Sequence, residues 1–78
     1  MDKMYTVIWE YDAAEDGMPQ NIVERFIGCA STKDEAIKFC NEAKLHYGDE
    51  LIVYEVSVGL PNKFHGCENY PVVYRKEN

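Results

Sequence analysis

A helix start is written into the middle of this chain. Thr32 is followed by Lys33, Asp34 and Glu35. A threonine hydroxyl so placed accepts a bond from a free backbone N–H of the first helical turn, and a glutamate three residues on reaches back to the threonine N–H. Asp34 and Glu35 also put negative charge at the positive end of the helix dipole. The residues just before, Phe26, Ile27, Gly28, Cys29 and Ala30, read as the end of a strand. The junction therefore divides the chain into a strand-rich first third, one helix and a strand-rich last third.

Residues 5–11 are aromatic and β-branched in alternation, which predicts a strand. Tyr5, Val7, Trp9 and Tyr11 share one face, with Thr6, Ile8 and Glu10 on the other. Residues 12–20 form a loop marked by Asp16, Gly17 and Pro19. Residues 21–30 predict a second strand, antiparallel to the first. The helix is expected over 31–47, with Ala36, Cys40, Ala43 and Tyr47 on one stripe flanked by Ile37 and Phe39. Gly48 is the expected stop, because it tolerates the left-handed conformation. A third strand is expected over 51–58, a long loop over 59–69 and a last strand over 70–75. Pro71 cannot donate to a ladder, so that strand belongs at an edge. The expected fold is α+β in the order β-β-α-β-β: an antiparallel sheet of about four strands with one helix across one face.

All 78 residues make one domain of a size that buries only ~60% of its unfolded surface. Such chains gain stability from a disulfide, a metal or a partner. Three cysteines, an odd count, and a start without a basic region leading into an apolar stretch predict reduced thiols, no signal peptide and a cytoplasmic setting. No apolar run approaches the ~20 residues that span a bilayer. Fourteen acidic against eight basic residues give a net charge of −6, which disfavours nucleic acid and anionic membranes as partners and permits a basic protein. Five of the acids, Asp2, Glu10, Asp12, Glu15 and Asp16, lie in the first sixteen residues, so the amino-terminal hairpin is the acidic end.

Chemistry has little to build on. Cys29, Cys40, His46, His65 and Cys67 lack the closely spaced pairs of structural zinc. Cys40 and His46 would stand about 240° apart around a helix, too far to share an ion. The acidic loop fails as a calcium loop: counting from Asp12, position three is Ala14 and position twelve is Val23. His65 and Cys67 are the pair closest to a base and a nucleophile, with no third residue to orient them. No glycine-rich phosphate loop is present. Neither a metal nor a cofactor is expected, and no catalytic residue is nominated.

Both faces of the strands are apolar: Val7 and Trp9 against Ile8, and Ile52 and Tyr54 against Leu51 and Val53. One helix covers one face, so a partner or a second copy is expected on the other, the alternative being a shield of long Lys, Arg and Tyr side chains. Tyr5, Trp9 and Tyr11 are nominated as the sticky patch, with a Trp9 that faces the core as the alternative, and Glu10, Asp12, Glu15 and Asp16 are expected to meet a basic surface.

The run from Phe26 through Ala36, followed by a helix and by Ile52, Val53, Tyr54, Glu55, Val56, Ser57, Val58 and Gly59, resembles small uncharacterised proteins of phages and mobile elements. The likeness covers about half the chain and rests on strand, cap and helix-start residues. It implies the class of small proteins that bind and block a host protein, including components of CRISPR and other defence systems. The resulting expectation is an acidic, non-enzymatic protein-binding module, an inhibitor of a basic surface of the kind that can hold nucleic acid. The alternatives are a domain dimerising through its open sheet face and, after it, a small thiol or metal enzyme using His65 and Cys67.

Overall fold

The computed structural model describes residues 3–57 and 70–77. Strand β1 (Lys3–Asp12) and strand β2 (Ile22–Ala30) form a hairpin, helix α1 (Lys33–Glu42) follows, and strands β3 (Glu50–Ser57) and β4 (Val72–Glu77) complete the order β-β-α-β-β. The strands make one open antiparallel sheet in the order β2-β1-β3-β4, an α+β fold with one helix among the described residues. β2 and β4 are the edges, and Pro71 stands just ahead of β4, where its missing N–H costs no ladder bond.

The helix begins where the sequence predicts. Thr32 is extended, and its hydroxyl accepts from the backbone N–H of Glu35 at 3.2 Å. Thr32→Ala is expected to lower stability by about 1 kcal/mol, read from urea denaturation, while Thr32→Ser changes it little.

The helix ends earlier than residue 47. Ala43 is already extended, and its N–H closes the last turn on the carbonyls of Phe39 and Cys40. The ammonium of Lys76, on β4, takes the carbonyl oxygens of Cys40 and Ala43 at 2.8 Å and that of Asn41 at 3.3 Å. A cation at the negative end of the helix dipole satisfies the last carbonyls, which otherwise would need another turn or water. The Tyr74 hydroxyl donates to Asn41 Oδ1 at 2.6 Å, a second tie between β4 and this helix end. Tyr47, expected on the buried stripe, is 96% exposed in a turn instead. In that turn Asp49 N–H bonds the His46 carbonyl, and Gly48 has φ +89°, as the third residue of a type II turn requires. Gly48 thus shapes a turn ahead of β3 and does not stop the helix.

The core lies between α1 and the odd-numbered face of the central strands. Val7, Ala36, Cys40, Leu51 and Val53 are buried together, with Tyr5, Trp9, Ala30, Ala43, Leu45, Val73 and Tyr74 packed around them. Ala36 and Cys40, four residues apart, are small enough to let the helix approach the sheet. Each edge strand carries an irregularity: one against Val7/Ile8 that inserts Ile27, and one against Val53/Tyr54 that inserts Val73. The first shifts the alternation of β2, so Ile22, Glu24 and Phe26 share the face of Ile8 while Arg25 lies opposite Trp9 on the helix face.

Candidate functional site

Strand alternation sends Tyr5, Val7 and Trp9 under the helix. The expectation that Tyr5, Trp9 and Tyr11 offer a sticky patch is therefore revised. Tyr5 and Trp9 pack against the core, and the Tyr5 hydroxyl donates to Glu55 at 3.2 Å. Tyr11 stacks on Trp9, with ring centroids 4.3 Å apart, and its hydroxyl accepts from Arg25 Nε at 3.1 Å. All three rings are half-buried, so a large part of their contact area is already used inside the protein.

Asp12 is also structurally engaged. Its Oδ1 accepts from the backbone N–H of Ala14 at 2.9 Å and of Asn21 at 3.0 Å, pinning both ends of the acidic loop. Those two bonds hold its carboxyl below the ordinary carboxylate range. The Ala13 N–H closes on the Asn21 carbonyl, and Met18 N–H on the Glu15 carbonyl, with Gly17 at φ +82° in the turn. Glu15 and Asp16 are exposed at the tip.

The opposite face carries a different arrangement. Across it, Glu24 of β2 pairs with Glu10 of β1, Glu10 with Glu50 of β3, and Glu50 with Glu77 of β4. Four glutamates thus stand in one row spanning the sheet, on the end that bears the acidic loop. Directly opposed side chains have Cβ atoms ~5 Å apart, and like charges there are destabilising. Arg75 bonds Glu50, and this bond, then the charges around it, holds the guanidinium above its ordinary value. Only Glu10 of this row is nominated by the sequence reading. Glu24, Glu50 and Glu77 are far from it along the chain, and register alone brings them together.

Beyond the row the same face is mainly apolar, with Thr6 and Arg75 among its polar members. Ile8 lies between Phe26 and Ile52, and Thr6 between Cys29 and Tyr54. Ile52 is buried, whereas Phe26 is 65% exposed, and Ile22 further along β2 and Val72 on the far edge strand β4 are exposed too. The helix does not reach this side, and no described element covers it.

The helix side has two clefts along its seam with β2. One, of about 250 Å3, is lined by Trp9, Ile27, Phe39, Ala43, Leu45 and Leu51, with Lys44, His46 and Asp49 at the rim. The other, of about 140 Å3, is lined by Val7, Ile27, Gly28, Ala30, Ala36 and Phe39 among others. Trp9 Nε1 is buried without a hydrogen-bond partner among the described residues.

Cys40 is buried in the core, and burial pushes its thiol up, away from reactivity. Cys29 is exposed. His65 and Cys67 lie outside the described residues. Among the described residues no three of His, Cys, Asp and Glu converge as they would around a metal ion, and no helix is long and apolar enough to cross a membrane.

A second polar cluster has consequences for pH. Lys3 Nζ donates to Glu55 Oε1 at 2.9 Å, beside the Tyr5 hydroxyl. The Lys3 bond holds the Glu55 carboxyl below its ordinary range, and the same bond holds Lys3 above its own. Burial, then the Glu55 charge, pushes Tyr5 up. A depressed carboxyl contributes stability above its unfolded pKa and loses it as pH falls through the folded value. Stability should therefore fall below about pH 4, from Asp12 and Glu55 together. Raised groups act in the opposite sense, so the contribution of Lys3 and Tyr5 is complete below about pH 10 and is lost as pH rises further. Urea midpoints against pH read both limbs, and Glu55→Gln should flatten part of each.

No family model, no curated protein and no solved structure matches the chain.

Proposed function

We propose that this chain is a small, acidic, non-enzymatic protein-binding module that docks its open sheet face on a basic surface of another protein. The observation that carries the reading is the row Glu24, Glu10, Glu50, Glu77 beside exposed apolar side chains on the same face. Like-charge cross-strand pairs weaken an isolated fold by roughly 0.2–1 kcal/mol each; Glu24–Glu10 bears this in full, and Arg75 relieves the two pairs that include Glu50. A partner that brings lysine or arginine to the row turns that repulsion into attraction, while Phe26, Ile22 and Val72 supply apolar contact. Charge mainly speeds and orients the encounter, and buried apolar groups set how long the complex lasts.

The resemblance of the strand-helix junction to small phage proteins favours one role for such a module: an inhibitor that blocks a host or defence protein, a CRISPR component among them. A basic surface of this kind commonly holds nucleic acid, so the inhibitor would compete for that site. A second copy of the chain fits the face less well, because it brings the same acids to the interface and the Arg75 on that face is already engaged by Glu50.

The test is capture of partners from the native host, identification by mass spectrometry, and calorimetric affinity of the purified pair at two salt concentrations. Affinity is expected to fall at least about tenfold from low to high salt. An affinity indifferent to salt removes the acidic contact.

A further inference from the structure

The β2 edge differs from its counterpart at β4. β2 runs nine residues, and all of them are exposed or half-exposed. β4 runs six, and its two cations are occupied, Arg75 by Glu50 and Lys76 by the end of α1. An edge left to solvent is usually blunted by charge on its flanks. β2 carries Glu24, Arg25 and the inserted Ile27, yet it also has exposed apolar side chains on both sides of the sheet. Phe26, at 65%, and Ile22, at 47%, stand on the open face. Ile27, at 41%, stands at the helix side, where it and Phe39 of α1 wall both clefts. No described strand pairs with the outer edge of β2.

We infer that β2 accepts an extended segment of a partner protein as a fifth strand. This rests on the protein-binding reading above and specifies how the partner is held. An added strand would take up the unpaired backbone groups of the edge, and its alternate side chains would fall on the two faces. On one side they meet Phe26 and Ile22. On the other they meet Ile27, Phe39 and the clefts beside them. The glutamate row defines the chemistry of the segment. The row ends on β2 at Glu24, so the next residue along it belongs to the partner strand and should be lysine or arginine. Residues on one face recur every second position, so an apolar residue two places away sits beside Phe26. The segment therefore carries a basic and an apolar residue at i and i+2, in either chain direction. A second copy does not supply this pattern: the open-face residues of its β2 are Ile22, Glu24, Phe26 and Cys29, none of them basic, and on its other edge, β4, the open-face cation Arg75 is already engaged by Glu50 and is followed on that face by Glu77, so a heterologous partner is the occupant.

The probe is a displayed library of random ten-residue peptides, panned on the full chain and on its Glu24→Lys variant. The expected result has three parts. Peptides selected on the parent carry lysine or arginine two positions from an apolar residue. Glu24→Lys reverses the preference to aspartate or glutamate and weakens the best parent peptide by about two- to thirty-fold, from one attractive pair changed to a repulsive one. Bound peptide slows amide exchange in Ile22–Ala30 and leaves β4 unchanged. Peptides without that spacing, an unchanged charge preference in the variant, or protection elsewhere than β2 would overturn the inference. So would concentration-dependent dimers or filaments that Phe26→Lys abolishes, because a second copy would then own the edge. Salt-sensitive binding of a captured native partner that persists alongside any of these negative results retains the module and removes only the fifth strand.

Discussion

Replacing Leu51 by alanine is expected to lower the unfolding free energy by about 2–5 kcal/mol. Leu51 is 3% exposed, in the buried cluster with Val7, Ala36, Cys40 and Val53. It also lines the cleft of about 250 Å3 together with its cross-strand partner Trp9. A helix of ten residues that buries only Ala36 and Cys40 has little independent stability, so its place depends on the apolar sheet surface beneath it. A chain of this length has roughly 4–12 kcal/mol in all. Loss of Leu51 therefore takes a large share, and part of the chain should be unfolded at ordinary temperature if the starting value is low. The matched control is Phe26→Ser on the other side of the sheet. Phe26 is 65% exposed, and a change there is expected within about 0.5 kcal/mol. Urea denaturation of the two variants reads the contrast. Equal losses would mean that the isolated protein buries both sheet faces alike.

The same contrast bears on function. Residues that stabilise the fold lie on odd positions of β1 and β3, and the nominated contact residues Ile22, Phe26 and Glu24 lie where removal costs the fold little. Ile52 is the exception: it is buried at 2% on the face away from the helix, with Ile8 and Arg75 as its cross-strand neighbours.

Local signals in the sequence specify the element order and little of the site. The Thr32 cap, the alternation in β1 and the proline ahead of β4 act within a few residues, and each is legible where it stands. The helix end is not, since nothing between Ala43 and Tyr47 forbids another turn. Lys76, more than thirty residues away, captures the carbonyls there. Gly48 illustrates the same limit, because its left-handed backbone suits a helix stop and a type II turn equally well. Which face of β1 the helix covers is a tertiary matter, so alternation alone pairs Tyr5, Trp9 and Tyr11 without saying that they are covered. The glutamate row needs strand order and register at once. A one-residue slip in any pairing would break it, and the inserted Ile27 alters the alternation on β2 in a way the sequence does not announce.

The row also makes an unusual variant available. Glu10 sits between Glu24 and Glu50. Glu10→Lys converts two repulsive cross-strand pairs into two attractive ones and gives up the attraction of Glu10 for Arg75, which together leave roughly 0.4–2 kcal/mol in favour of the fold. Most substitutions that abolish binding leave open whether the protein still folds. This one should raise the melting temperature by several degrees, on the scale of ~4–8 °C per kcal/mol for a small domain. A basic partner would meet lysine where it now meets a carboxylate, and like charges brought together at an interface cost several kcal/mol.

Thermal melting and partner affinity, measured on Glu10→Lys beside the parent chain, test the open face most directly. The expected pair of readings is a higher melting temperature with affinity lowered at least about tenfold. A variant that melts higher and binds as tightly as the parent would show that the partner does not rest on the glutamate row.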